Sequence, residues 1–299
     1  MTKVFEINHI TKDYGNQKGV FDASFTVHKG EVMGFLGPNG SGKTTTIRQL
    51  MGFIHPDAGE VKINGWDCFL HTKEIQKTLG YLPGEIAFMD EMTGIDFIKF
   101  IAKMKEMKDL SYAYDLMNFF ELDPKGKIKK MSKGMKQKIG IVCAFMNRPS
   151  EVILDEPTSG LDPLMQNKFV ELILKEKEKG TTILMSSHIF EEVERTCDRT
   201  VIIKQGKIMA VEDMAKLKNS KKKYYIIRFE EEAMAIQFAT VNSLPREAIE
   251  KDVVTIGVKG NVDHLIKQLS TYSIKDLNVR MQSLEEMFLH FYGGEKHDK

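Results

Sequence analysis

The run Gly37-Pro38-Asn39-Gly40-Ser41-Gly42-Lys43-Thr44 fits the pattern Gly-x-x-x-x-Gly-Lys-Ser/Thr without a mismatch. The chemistry open to such a run is phosphate binding. Its glycines let backbone N–H groups turn inward around phosphate oxygens, and a helix opening behind the loop adds its partial positive charge. Lys43 would then reach the β- and γ-phosphates, and the Thr44 hydroxyl would ligate Mg²⁺. The flanks suit this. Val32 to Leu36 reads as a short buried strand, and Thr45 to Met51 as a helix. Phosphate contacts are therefore expected from Gly37, Pro38, Asn39, Gly40, Ser41, Gly42, Lys43, Thr44 and Thr45.

A second apolar strand, Val152-Ile153-Leu154, ends in Asp155 and Glu156. Beside a phosphate loop, a carboxylate at a strand end holds Mg²⁺ directly or through water, and Asp155 suits that role. Glu156, one residue on, is placed to orient or deprotonate an attacking water. Upstream, Ser132 is a good N-cap for a helix carrying Met135, Ile139, Val142 and Met146. A helix start with a serine hydroxyl and Gly134 is a second anion-binding element.

Elements must position these groups. Phe21, Ala23, Phe25 and Val27 alternate with polar residues, the period of a half-buried strand. Gly52 is a left-handed helix stop, Pro56 to Gly59 a turn, and Val61 to Ile63 a strand ending in an Asn64-Gly65 hairpin signal. From Thr93, a cap for Ile95, Ile98, Ile101 and Ala102, the pattern is helical to about Met146. Helices at Lys168 to Lys177 and Phe190 to Cys197 then alternate with strands at Thr182 to Met185 and Val201 to Ile203, with a turn at Gln205-Gly206. Such alternation implies a mostly parallel sheet. The polar, basic stretch Lys218 to Lys223 reads as a linker. Beyond it, strands at Tyr224 to Phe229, Val253 to Val258 and Ile274 to Val279, a helix at Val262 to Leu269 and a capping box at Ser283 to Glu286 opening a helix to Tyr292 make a small α+β appendage.

Composition narrows the class. Lys+Arg is 43 against Asp+Glu 42, so a generally basic surface for nucleic acid is not indicated. Lys125, Lys127, Lys129, Lys130, Lys133, Lys136 and Lys138 read as a solvated basic face. Cys68, Cys143 and Cys197 lie far apart and fit a reduced compartment. No signal-peptide pattern opens the chain, and no window approaches the ~18 apolar residues that span a bilayer. The expectation is a soluble chain whose membrane role comes through a partner.

Taken in order, these residues resemble the nucleotide-binding subunits of ABC transporters, over roughly Lys3 to Ala210. Ser132-Lys133-Gly134-Met135 is similar to the family signature, usually Leu-Ser-Gly-Gly-Gln, at its serine and second glycine. Ser159-Gly160-Leu161-Asp162 resembles the D-loop, His188 after Met185-Ser186-Ser187 the switch histidine, and Tyr14 the aromatic that stacks on adenine. The resemblance implies a P-loop NTPase core of the ABC type, α/β with antiparallel β and helical subdomains, over residues 1–218. Residues 219–299 then form the small C-terminal domain. It implies ATP and Mg²⁺, hydrolysis by Glu156, His188 and Lys43, nucleotide contacts at Tyr14, Ser132, Gly134 and Asp162, and a metal set of Thr44, Asp155 and Glu85. Two such subunits, copies or paralogues, pair head to tail with ATP between the phosphate loop of one and the signature of the other, and drive a separate membrane permease. The location implied is peripheral, on the cytoplasmic face of the cell membrane.

There are two departures. Lys133 and Met135 stand where glycine and glutamine are usual, and Met135 cannot donate a hydrogen bond. After Tyr81-Leu82-Pro83, where the family has glutamine, Gly84 stands with Glu85 next, and Glu85 is the residue expected to reach the metal or its water. The tail segment Ser283 to Leu289 resembles the drug- and antimicrobial-peptide-exporter branch, the bacitracin-type exporters among them, which implies export. The alternative is a non-transport ABC ATPase switching ribosomes or DNA. Ribosome-acting members usually carry two such domains in one chain, and DNA-acting members carry long coiled coils. A P-loop kinase would leave the signature and D-loop unexplained.

Overall fold

The computed structural model describes residues 2–241, 246–258 and 260–292; positions 1, 242–245, 259 and 293–299, which fall in the two expected domain ranges, lie outside the described residues. The chain divides into two compact units, Met1–Met214 and Ala215–Lys299.

The first unit opens with β1 (Lys3–Asp13), β2 (Gly19–His28), β3 (Val32–Leu36), α1 (Lys43–Leu50), β4 (Ala58–Ile63) and β5 (Trp66–Asp67). α2 (Thr72–Thr78) and β6 (Gly80–Leu82) lead into α3 (Gly94–Met104), α4 (Ser111–Phe119), a 3₁₀ turn at Ile128–Lys130 and α5 (Lys133–Phe145). There follow β7 (Glu151–Asp155), α6 (Pro163–Glu178), β8 (Thr182–Ser187), α7 (Phe190–Thr196), β9 (Arg199–Lys204) and β10 (Lys207–Asp213), and α8 (Met214–Ser220) begins at the unit's last residue.

Two sheets organise this unit. One runs β2-β1-β4-β5, and its β1–β2, β1–β4 and β4–β5 pairs are antiparallel. The other runs β10-β9-β3-β8-β7-β6 and is parallel except for β10 on its edge. This is the expected α/β core with an antiparallel β layer and a helical segment. All five residues of β3 are buried, as a strand covered on both faces requires. Phe5, Phe25, Phe35, Ile47, Leu50, Ile153 and Leu184 pack into one core from both sheets and α1.

The inward alternation expected along β2 holds from Ala23 to Val27 and then breaks. Asp22 has φ 52°, the register against β1 shifts there, and Val20 rather than Phe21 is buried. The Asn64-Gly65 hairpin forms with both residues at positive φ, pairing Ile63 with Trp66. The helical stretch after Thr93 divides into three helices and a 3₁₀ turn, with Thr93 and Ser132 both capping as expected. α6 starts at Pro163 rather than Lys168, because Asp162 caps it and proline fits its first turn. α2, β6 and β10 were not foreseen, and the supposed linker is helical to Ser220. Among the described residues no helix is long and apolar enough to cross a membrane.

The second unit contains β11 (Lys223–Phe229), α9 (Glu232–Val241), β12 (Arg246–Glu250), β13 (Val253–Val258), α10 (Asp263–Leu269), β14 (Ile274–Met281) and α11 (Leu284–Tyr292). The sheet order is β12-β13-β11-β14, with every pairing antiparallel, a split β-α-β-β-α-β arrangement. α9 and β12 add to the expected three strands and two helices. Ile227, Phe229, Phe238, Val254, Ile256 and Leu265 form its own core, with the Phe229 and Phe238 rings 5.2 Å apart. The capping box closes in both directions: Glu286 N donates to Ser283 Oγ at 3.1 Å, and Ser283 N to Glu286 Oε2 at 3.0 Å.

Candidate active site

β3 delivers the chain to the glycine-rich loop, and α1 leaves it. Gly42, the N-cap of α1, sits at φ 111°, so the helix begins at Lys43 rather than Thr45. At Gly37 a Cβ would lie 2.5 Å from both Ile203 O and Ser41 Oγ, so the loop can pack this closely only with glycine there. Lys43 is folded back across the loop. Its Nζ donates to Gly37 O at 2.7 Å and Pro38 O at 3.3 Å, and lies 3.1 Å from Glu156 Oε1.

The parallel pairing of β7 with β8 sets the carboxylates. Asp155 is buried, and both its oxygens are engaged: Oδ2 accepts from Thr44 Oγ1 at 2.8 Å and Oδ1 from Ser186 Oγ at 2.5 Å. The Ser186 hydroxyl in turn accepts the Glu156 amide at 3.0 Å, tying the two strand ends together. Glu156 occupies φ 49°, a conformation costly for a non-glycine residue and found where surrounding structure over-determines it. Its Oε2 meets His188 Nδ1 at 2.5 Å. Lys43, Thr44, Asp155, Glu156 and His188 therefore form one connected cluster.

Ser186 and Gln137 belong to this frame and were missed from the sequence. Gln137 is buried on α5 and donates to Pro157 O at 2.7 Å, bracing the backbone next to Glu156. A buried polar pair, Ser186-Ser187, at the end of an apolar strand was the available signal. A cavity of about 610 Å³ borders the cluster, lined by Asn39, Gly84, Glu85, Lys133, Glu156 and His188 among others.

The remaining expected residues are placed differently. Tyr14 is 53 % exposed on the loop between β1 and β2. Ser132 Oγ accepts from Met135 N at 3.2 Å and caps α5; Asp162 Oδ1 accepts from Met165 N at 3.0 Å and caps α6. The two helix starts lie close together: a Cβ on Gly134 would come within 2.9 Å of Gly160 O. Lys133 binds them, its stem over Gly160 and its Nζ donating to Ser159 Oγ at 2.9 Å. Glu85 is exposed at the cavity. It is Gly84 that abuts Asp155, where a Cβ would sit 3.1 Å from Oδ2. A side chain at position 84 would thus reach the carboxylate that Glu85 was expected to join.

One more acid lies near. Glu192 on α7 is 6 % exposed, and its Oε2 accepts from Ser187 Oγ at 2.7 Å. Burial pushes its carboxyl up to about 7; the Ser187 and Thr158 hydroxyls pull it down, Glu156 adds to the rise and His188 opposes it. A carboxyl so raised contributes stability below the ordinary carboxylate range and loses it as pH rises through about 7.

The oxygen set fits a hard cation. Thr44 and Asp155 offer a hydroxyl and a carboxylate in contact, and Mg²⁺ takes one or two protein oxygens with water and phosphate completing its shell. No cluster of three or more His, Cys, Asp or Glu suited to a metal occurs among the described residues.

Residues 20–159 match the family model described as ABC transporter. The bacitracin transport ATP-binding protein BcrA of Bacillus licheniformis is 31 % identical over 303 residues, covering 98 % of this chain and 99 % of that protein. The linearmycin resistance ATP-binding protein LnrL of Bacillus subtilis (strain 168) is 36 % identical over 213 residues, covering 70 % of this chain and 68 % of that one. A solved ATP-binding subunit of an ABC transporter superposes with a TM-score of 0.66 at 32 % identity, over 72 % of this chain and 92 % of that chain. Similarity at this level, running nearly end to end, means that the chain belongs to the ATP-binding, ATP-hydrolysing subunits of ABC transporters.

Proposed function

We propose that this subunit powers export of a drug- or peptide-like molecule through a separate membrane permease, acting as one of a head-to-tail pair on the cytoplasmic face of the cell membrane. The observation that carries the catalytic part is the single cluster of Lys43, Thr44, Asp155, Glu156 and His188. The full-length similarity to a bacitracin transport subunit supports the export part.

In this reading the amides from Gly37 to Thr45 and the Lys43 ammonium bind the phosphates, and Tyr14 stacks on the base. Thr44 and Asp155 would hold Mg²⁺, with Glu85 reaching its water. When bound there, Mg²⁺ supplies charge neutralisation at the phosphate oxygens. Lys43 is paired with Glu156 at 3.1 Å, and turning it towards phosphate frees the Glu156 carboxylate to take a proton from water. His188 holds that carboxylate in orientation. Ser132, Gly134 and Asp162 serve the nucleotide of the other subunit, which accounts for their lying outside the Lys43 cluster. Residues 219–299 act as an accessory domain for coupling or pairing.

The test is recovery of the tagged full chain from detergent-extracted membranes. Co-purification of a polytopic membrane protein is expected. Recovery with ribosomes or DNA instead would favour the non-transport switch and overturn the permease assignment.

A further inference from the structure

Glu192 is a buried acid that the proposed chemistry does not use. It lies one helical turn beyond His188, on the first turns of α7. Its carboxyl accepts from Ser187 Oγ at 2.7 Å, and the same hydroxyl accepts the Ile189 amide at 2.9 Å. The residues on either side of His188 are thus gathered on one hydroxyl that Glu192 holds. Thr158, on the loop after β7 and two residues beyond Glu156, lines the same cavity as Glu192. That loop is itself tightened by the Leu161 amide donating to Thr158 O at 3.0 Å. Glu192 therefore holds the loop that carries His188 and lies across a cavity from the loop that carries Glu156, and those two groups meet at 2.5 Å. A cavity of about 220 Å³ lies alongside, lined by Thr158, Gln166, Glu191, Glu192 and Arg195 among others. An apolar residue at position 192 would be cheaper to bury than a carboxyl.

We propose that Glu192 is a positioning residue for hydrolysis: it sets the His188 imidazole against Glu156 by holding the loop after β8 through the Ser187 hydroxyl. The inference rests on the roles given above to Glu156 and His188. The charged groups facing it are Glu156 at the end of β7, His188 before α7, and Glu191 and Arg195 on α7 itself; the α6 residues lining the cavity, Pro163, Gln166, Asn167 and Val170, are uncharged.

The experiment uses the full chain with Glu192→Ala, Glu192→Gln and, as a control on the underlying reading, His188→Ala. Glu192→Ala is expected to lower kcat by about 10-fold with KM for ATP within about 3-fold, the split of a group acting only on the chemical step. Glu192→Gln keeps the shape and hydrogen-bonding capacity, so it should recover most of that loss. It should also melt higher than wild type at pH 8.5, with the gap closing at pH 5.5, because it cannot ionise. The His188 ring resonances should move in Glu192→Ala and return in Glu192→Gln. Wild-type kcat in Glu192→Ala beside an inactive His188→Ala would overturn the proposal alone, as would a loss confined to KM. An active His188→Ala would overturn the reading of His188 beneath it. Should Glu192→Ala not fold, unrecovered His188 resonances in Glu192→Gln, with a pH profile like wild type, would overturn it as well.

Discussion

Glu156→Gln is expected to cut ATP turnover by ~10²-fold or more while nucleotide binding persists. The substitution is nearly isosteric and leaves a hydrogen-bonding group against His188 Nδ1, where Glu156 Oε2 now sits at 2.5 Å. What it removes is the capacity to take a proton. The backbone there sits at φ 49° with its amide donating to the Ser186 hydroxyl, a contact that the substitution does not touch. With phosphate binding assigned, as proposed above, to the loop amides and Lys43, affinity should survive, and uncleaved ATP should accumulate at the site. Turnover measured beside binding of a fluorescent ATP analogue checks this. Near-wild-type turnover would remove Glu156 from the role of base.

Lys43→Ala should act on the other arm. The side chain is almost fully buried, at 6 % exposure, and its ammonium is shared between two loop carbonyls and Glu156. Removing it takes the lysine ammonium from that cluster, and would leave Glu156 facing phosphate without that positive charge between them. A buried charge stripped of its partner is strongly disfavoured. Affinity for ATP should fall by about 10-fold or more and hydrolysis should be lost, as a nucleotide titration and a phosphate-release assay would show together. Retained affinity and turnover would mean that the ammonium does not face the phosphates.

The parts of the site that are local in sequence were legible. A strand, six loop residues and a helix start are contiguous, and Gly40 and Gly42 report the positive φ they adopt, as Gly37 reports its close packing. The Asp155-Glu156 pair was legible because an apolar run stops at it. The caps at Thr93, Ser132 and Ser283 were legible because a hydroxyl precedes helical spacing. Ser186 and Gln137 were not, because their meaning depends on which strands and loops become neighbours, and spacing carries no sign of that. Glu85 depends on the same kind of neighbourhood. It is one residue from the expected position and is exposed at the cavity, while a Cβ on Gly84 would lie 3.1 Å from Asp155 Oδ2.

In the fold, β6 has only three residues and α2 seven, too short for a period to register. The break in β2 came from a bulge at Asp22, which a strict alternation cannot reveal. α9 carried its signal in the spacing of Ala235, Phe238 and Ala239, all buried, but two of the three are alanines and weigh little in an apolar pattern. The lysine-rich stretch from Lys218 read as a linker, yet the helix α8 extends to Ser220, since lysine is a good helix former when its charges face water.

The pairing of two subunits across each nucleotide is the centre of this account, and complementation in mixtures tests it most directly. Chains carrying Lys43→Ala and chains carrying Ser132→Arg should each be inactive alone. In a mixed dimer one site joins both defects, while the other joins an intact phosphate loop to an intact signature. Hydrolysis should therefore return on mixing, to about a quarter of wild type if chains pair at random in a symmetric dimer. No recovery in the mixture, with wild-type hydrolysis strictly linear in protein concentration, would contradict the head-to-tail pair.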